Sequence, residues 1–147
     1  MHPSYGAGHA TVAGACVTIL KAFFDTNAVL RKRQNEKGEE EVGFGCWQPC
    51  DQAIAFVPTP QQEDTLEERA LDAPLTLEGE LNKLAANISI GRNMAGVHYY
   101  SDYYDSLRMG EQIALGILEE QALTYPTDPF VLTVPTFDGP VVRIGAR

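Results

Sequence analysis

The sequence predicts a mainly α fold, a partial helical bundle that ends in a small C-terminal β-hairpin. Three observations predict it. Apolar residues recur at three- and four-residue steps over residues 10–33, 76–93 and 101–122. The stretch 34–75 between the first two carries Pro49, Pro58 and Pro60, which discourage long helix, and reads as irregular. Asp138-Gly139 lies between β-like runs at 130–137 and 141–144, a hairpin signal. The length of 147 residues is that of one domain, and no internal repeat divides it. The expected organisation is a helical part over 1–124, with an irregular loop at 34–75, and a hairpin tail over 125–147.

The first helix is read from Val12, Ala13, Cys16, Val17, Leu20, Phe23, Phe24 and Asn27. Its apolar face is wide, so it should be largely buried. It opens directly behind Gly6-Ala7-Gly8-His9. In the loop that follows, Arg31-Lys32-Arg33 and Glu39-Glu40-Glu41 flank Gly38 and read as a solvated charge run. Short strands are allowed at 42–44 and 53–57. A loop of this length in a compact domain is unusual and often functional or mobile.

The second helix takes Thr76 as its cap, with Glu78 and Glu80 in the first turn, favourable to the helix dipole. Leu77, Leu81, Leu84 and Ile88 form its seam, and Arg92 continues it at the next four-residue step. A guanidinium in phase with a core face calls for a negative partner. The third helix takes Ser101 as its cap and Tyr104, Leu107, Ala114, Ile117 and Leu118 as its apolar face, with Glu111, Glu119 and Glu120 mostly off it. Pro140 in the tail implies an edge strand or a loose turn.

Composition narrows the function. Hydrophobic residues make up 44% of the chain and charged residues 21%, a globular balance. A net charge of -9 argues against nucleic acid, whose binders carry a basic stripe. No apolar run approaches the roughly 20 residues of a membrane span. Met1-His2-Pro3-Ser4 does not read as a secretory signal, so a soluble chain of open localisation is expected. Cys16, Cys46 and Cys50 are too few for a disulfide scaffold or a four-ligand zinc site, although Cys46 and Cys50 could pair.

Two segments carry chemistry. The first is Pro3-Ser4-Tyr5-Gly6-Ala7-Gly8-His9. Glycines let a backbone approach a ligand, a helix N-terminus presents free N–H groups to an anion, and a histidine there can exchange a proton with it. The plainer alternative is a glycine-rich turn with a capping histidine. The second is Arg92-Asn93-Met94-Ala95-Gly96-Val97-His98-Tyr99-Tyr100-Ser101-Asp102. Asp102, in the first turn of the third helix, could reach one ring nitrogen of His98 and leave the other free for a ligand. The plainer alternative pairs Arg92 with Asp102 or a glutamate and leaves His98 a loop residue. Tyr99, Tyr100, Tyr103 and Tyr104 could line a pocket, though packing between helices suits most of them better, and Met94 suits the core.

The segment His2-Pro3-Ser4-Tyr5-Gly6-Ala7-Gly8-His9 resembles the P-S-G-H motif of the vanadium-dependent haloperoxidase and type 2 phosphatidic acid phosphatase superfamily. Arg92, His98 and Asp102 resemble its R-x5-H-x3-D motif. The similarity runs over about residues 2–122 and is nearest to the bromoperoxidase branch. It implies a helical bundle of the haloperoxidase and acid phosphatase type, with vanadate as cofactor. His98 would be the axial ligand of vanadate, Arg92 and the Gly8 N–H would hold its oxygens, His9 would be the acid–base group, His2 an additional histidine nearby, and Asp102 the partner of His98. Hydrogen peroxide and bromide would be the substrates and hypobromous acid the product.

Two departures accompany the resemblance. Gly6-Ala7 stands where the motif has Pro-Ser, so a serine hydroxyl is missing; one hydrogen bond is worth about 1 kcal/mol. The superfamily's upstream lysine and arginine have no counterpart before His2, so the chain looks like a C-terminal fragment. Association, with copies of itself or with a missing N-terminal part, would cover faces the bundle otherwise buries. Two alternatives stay open: a phosphatase in which His98 forms a phosphohistidine and His9 protonates the leaving group, and a non-catalytic assembly module.

Overall fold

The computed structural model describes residues 5–60, 62–125 and 127–145. The chain divides into two compact units, one built from residues 1–24 with 81–147 and the other from 25–80. The expected mainly α fold is corrected: among the described residues, three helices share the chain with a four-stranded antiparallel sheet as well as the terminal hairpin.

In the first unit, α1 spans Gly8–Phe23. It stops ten residues short of the expected end. Asp25 is the reason: its side chain accepts the Asn27 N–H at 3.1 Å and its carbonyl accepts the Ala28 N–H at 3.0 Å, a local turn that competes with helical bonding. The buried face of α1 is also not the expected one. Ala10, Ala13, Gly14, Val17, Thr18 and Lys21 are buried, whereas Val12, Phe23 and Phe24 are exposed.

Small residues win that face because α3 (Tyr100–Thr124) comes close enough for main chains to touch. A Cβ on Gly14 would overlap the Leu107 carbonyl, and one on Gly110 would overlap the Thr11 carbonyl. Leu107, Ala114 and Leu118 of α3 are buried, in line with the expected seam, but Tyr104 and Ile117 are exposed and Tyr103 is buried in their place. The expected seam of α2 (Leu77–Met94) is rotated likewise. Ala85 and Ser89 are buried and Leu81 packs on the core, while Leu84, Ile88 and Met94 are exposed. Thr76 caps α2 as expected, its Oγ1 accepting the Gly79 N–H at 3.1 Å.

The hairpin pairs β5 (Val131–Pro135) with β6 (Val141–Gly145), with Thr133 opposite Arg143. Gly139 makes its turn at a φ of 94°, which suits glycine. Val134 and Ile144 pack with Leu115 and Leu118 of α3 in a second apolar cluster. Polar contacts pin the turn. Lys21, 1% exposed, donates to the Pro135 carbonyl at 3.1 Å and lies 4.4 Å from the centre of the Phe137 ring. Glu111, expected to lie off the packed face, is 3% exposed and accepts the Phe137 N–H at 2.7 Å. Burial pushes its carboxyl up, against the opposing pull of the Phe137 N–H and of Lys21. Arg108 forks onto Asp138, which holds that carboxyl below its ordinary value.

The second unit replaces the expected irregular loop at 34–75. Its strands are β1 (Val29–Gln34), β2 (Glu40–Gly45), β3 (Gln52–Thr59) and β4 (Gln62–Ala70), in the order β2-β1-β3-β4. The short strands allowed at 42–44 and 53–57 fall inside β2 and β3. The charge runs are facing strands and not a solvated loop. Arg33 lies opposite Glu41 and bonds it at 2.8 Å, and Lys32 reaches Glu40 at 3.0 Å and Glu68 at 3.2 Å. Opposite charges in register stabilise an antiparallel pair. Residues 46–51 cross β1 between its two neighbours, and Arg31 is buried there with its Nε 3.3 Å from Asp51. Cys46 and Cys50 flank this crossing, and both are free and exposed, as is Cys16. No helix among the described residues is long and apolar enough to cross a membrane.

Candidate functional site

The described parts of the two chemistry-bearing segments both lie in the first unit. Gly6, at a φ of 91°, turns the chain into α1, and Ala7 is the residue before the helix. Among the described residues no side chain caps this end, and no acidic residue lies in its first turn. The amides of Gly8, His9 and Ala10 precede the first intrahelical bond, which runs from the Thr11 N–H to the Ala7 carbonyl at 3.0 Å. This end therefore keeps its donors and its positive dipole for an anion. His9 is exposed on the first turn and caps nothing. His2 lies outside the described residues.

Contacts of α1 with the first turns of α3 bring this end to the second segment. The Ala7 N–H donates to Ser106 Oγ at 2.9 Å, and both residues are buried. The Tyr5 hydroxyl donates to Asp105 at 3.2 Å, and that carboxylate pushes the phenol up. Ser106 lies one helical turn beyond Asp102.

Asp102 is 3% exposed. Its Oδ2 accepts the Tyr99 N–H at 2.9 Å and so caps α3, a role expected of Ser101. The same oxygen lies 3.6 Å from His98 Nδ1, within ion-pair reach and beyond hydrogen-bond length. The His98 ring is largely covered, with a side-chain exposure of 10%. Tyr103 is buried and packs edge-on against Tyr100 at 4.8 Å, while Tyr99 and Tyr100 are exposed.

Arg92 lies two turns beyond Ala85 on the packed side of α2. Its Nε is buried, and it has no hydrogen-bond partner among the described residues. The plain alternative, a pairing with Asp102 or a glutamate, is not observed among the described residues. An orphaned buried guanidinium N–H is costly, and an oxoanion is a natural acceptor for it. An uncapped helix start, a half-buried arginine and a histidine with a carboxylate behind one nitrogen suit a tetrahedral oxoanion such as vanadate. Sequence reasoning missed Ser106, since an isolated serine on a helix carries no spacing signal, and missed the capping role of Asp102.

Known proteins resemble this chain along most of its length. Residues 1–123 match the model of the VCPO second helical-bundle domain. The chain is 50% identical over 143 residues to a vanadium-dependent bromoperoxidase of Corallina officinalis and, at the same identity and length, to one of Corallina pilulifera. It is 32% identical over 146 residues to a vanadium-dependent bromoperoxidase of Ascophyllum nodosum. Each alignment covers 97% of this chain but only 20–22% of the relative, so the chain spans about a fifth of the length of these relatives. With most of its length matched by that helical-bundle model, the chain belongs to the vanadium haloperoxidase family.

Proposed function

We propose that the start of α1, Arg92 and His98 form a vanadate pocket that serves the oxidation of bromide by hydrogen peroxide to hypobromous acid. The observation that carries the reading is the Ala7–Ser106 hydrogen bond, because it brings the uncapped amides of α1 beside the turn of α3 that holds Asp102. The orphaned Nε of Arg92 supports it independently.

His98 would bind vanadate through Nε2, since the Asp102 carboxylate favours the proton on Nδ1. The Arg92 guanidinium would offset negative charge on the oxoanion. The Gly8 N–H, at the positive end of α1, would donate to one of its oxygens. His9, exposed on the same turn, would take up or return a proton as peroxide enters, and His2 is a further candidate by the resemblance. When bound, vanadate supplies Lewis acidity that makes peroxide electrophilic toward bromide. Exposed Val12, Phe23, Leu84 and Ile117 support association, with a second copy or with further parts of a longer protein.

The test is bromination of a phenolic dye by the full chain with hydrogen peroxide and bromide. It is run with and without orthovanadate, beside His98→Ala, while vanadium-51 NMR reads binding. Vanadate-dependent turnover and line broadening, both lost in the variant, are expected. Broadening that survives His98→Ala would overturn the pocket, and binding without turnover would restrict the chain to holding the oxoanion.

A further inference from the structure

We infer that Ser106 is a positioning residue that sets the register of the α1 amides and His9 against His98, an inference that rests on the oxoanion reading above. Close helix contact does not fix this register by itself. The touching main chains at Gly14 and Gly110 set how near α1 and α3 lie, which is a separate matter from sliding along the axis. A directional bond resists it well, and the Ala7 N–H to Ser106 Oγ bond of 2.9 Å is one, with Ala7 1% and Ser106 2% exposed. Its position matters as much as its strength. Asp102 and Ser106 are successive turns of one helix, so the carboxylate facing His98 and the anchor of the α1 start share a rigid segment about 6 Å long.

Loss of the hydroxyl leaves the buried Ala7 N–H without its acceptor and frees the residues that begin α1 to shift. Displacements of about 1 Å in a binding geometry are enough to lower its effectiveness greatly. Ser106 touches no ligand in this account and acts through the backbone of Ala7 and Gly8. An acceptor at this position is therefore required, and side-chain volume alone does not replace it.

The test uses the full chain with Ser106→Ala, and the pair Ser106→Thr and Ser106→Val, which differ from each other in the hydroxyl alone. Orthovanadate affinity is read by vanadium-51 NMR, and amide exchange is followed at Ala7, Gly8 and His9. Ser106→Ala is expected to weaken vanadate about tenfold, equivalent to about 1.4 kcal/mol, and to speed exchange at Ala7, the one of these amides with a hydrogen-bond acceptor among the described residues. Ser106→Thr stays near the parent and Ser106→Val follows the alanine variant. Val134→Ala, a core truncation in the hairpin, lowers Tm without moving the affinity. If Ser106→Ala does not fold, the threonine and valine pair decides. Unchanged affinity and unchanged exchange in the variants lacking the hydroxyl overturn the inference. If the parent binds no vanadate, the oxoanion reading fails, and the exchange rates alone decide whether Ser106 orders the start of α1.

Discussion

A single oxygen of Asp102 serves two partners, accepting the Tyr99 N–H at 2.9 Å and lying 3.6 Å from Nδ1 of His98. The two duties separate on substitution. Asp102→Asn keeps an acceptor for the Tyr99 amide and loses the charge. It should retain most of the parent's stability while vanadate affinity falls about tenfold, the low end for a group that orients a ligating histidine. Asp102→Ala should lose both, with about 1 kcal/mol of stability gone with the cap. Thermal melts and vanadium-51 NMR check the pair; equal affinity in Asp102→Asn and the parent would refute the orienting role.

Arg92 exposes a conflict between stability and binding. Its Nε is buried without a partner among the described residues, which costs stability in the absence of an oxoanion. Arg92→Met fills similar space without the charge. It should raise stability by about 1 kcal/mol and abolish vanadate binding. Arg92→Lys keeps charge but not the planar fork, and should weaken binding about tenfold. Denaturant titrations and NMR read both effects.

Glu111 gives a pH dependence with a definite sign. Burial holds its carboxyl above the ordinary glutamate value, so the folded chain binds that proton more tightly than the unfolded one. Its contribution is complete below about pH 4.3, the unfolded value, and is lost as pH rises through the raised folded value. Glu111→Gln should therefore gain on the parent as pH increases from 4 to 7. Urea titrations across that range measure the gap, and a gap independent of pH would contradict the assignment.

Two glycines of α3 should respond oppositely to alanine. Gly116→Ala meets no atom within 4 Å and should stabilise by about 0.5–1 kcal/mol through helix propensity. Gly110→Ala would overlap the Thr11 carbonyl of α1 and should destabilise by about 1–3 kcal/mol. Because that overlap pushes α1 away, Gly110→Ala should also weaken vanadate binding.

What could be read from the sequence divides by range. Helix periodicity located α2 and α3 to within two residues, and the Asp138-Gly139 signal located the hairpin, because both are local. The spacing of Arg92, His98 and Asp102 was legible for the same reason. The sheet was not. Arg31-Lys32-Arg33 and Glu39-Glu40-Glu41 look like a solvated loop until their register is known, since the alternation of a strand is hidden when charges occupy both faces. The orientation of α1 was illegible because size, and not hydrophobicity, chose its face: Gly14 and Ala10 are buried so that α3 can approach, and Phe23 is left out. The union of the site depends on a bond between residues 99 positions apart, which no window of sequence contains.

That separation has a consequence for biosynthesis. At 5–20 residues per second, a ribosome needs roughly 5–20 s to proceed from Ala7 to Ser106. Throughout that interval the face of Ala10, Ala13 and Val17 has no mate from α3. The strands of the second unit find their partners far sooner, since Arg33 and Glu41 are eight positions apart. A nascent chain therefore carries a finished sheet and an unescorted first helix. Chaperone binding, if this helix needs it, belongs to that window.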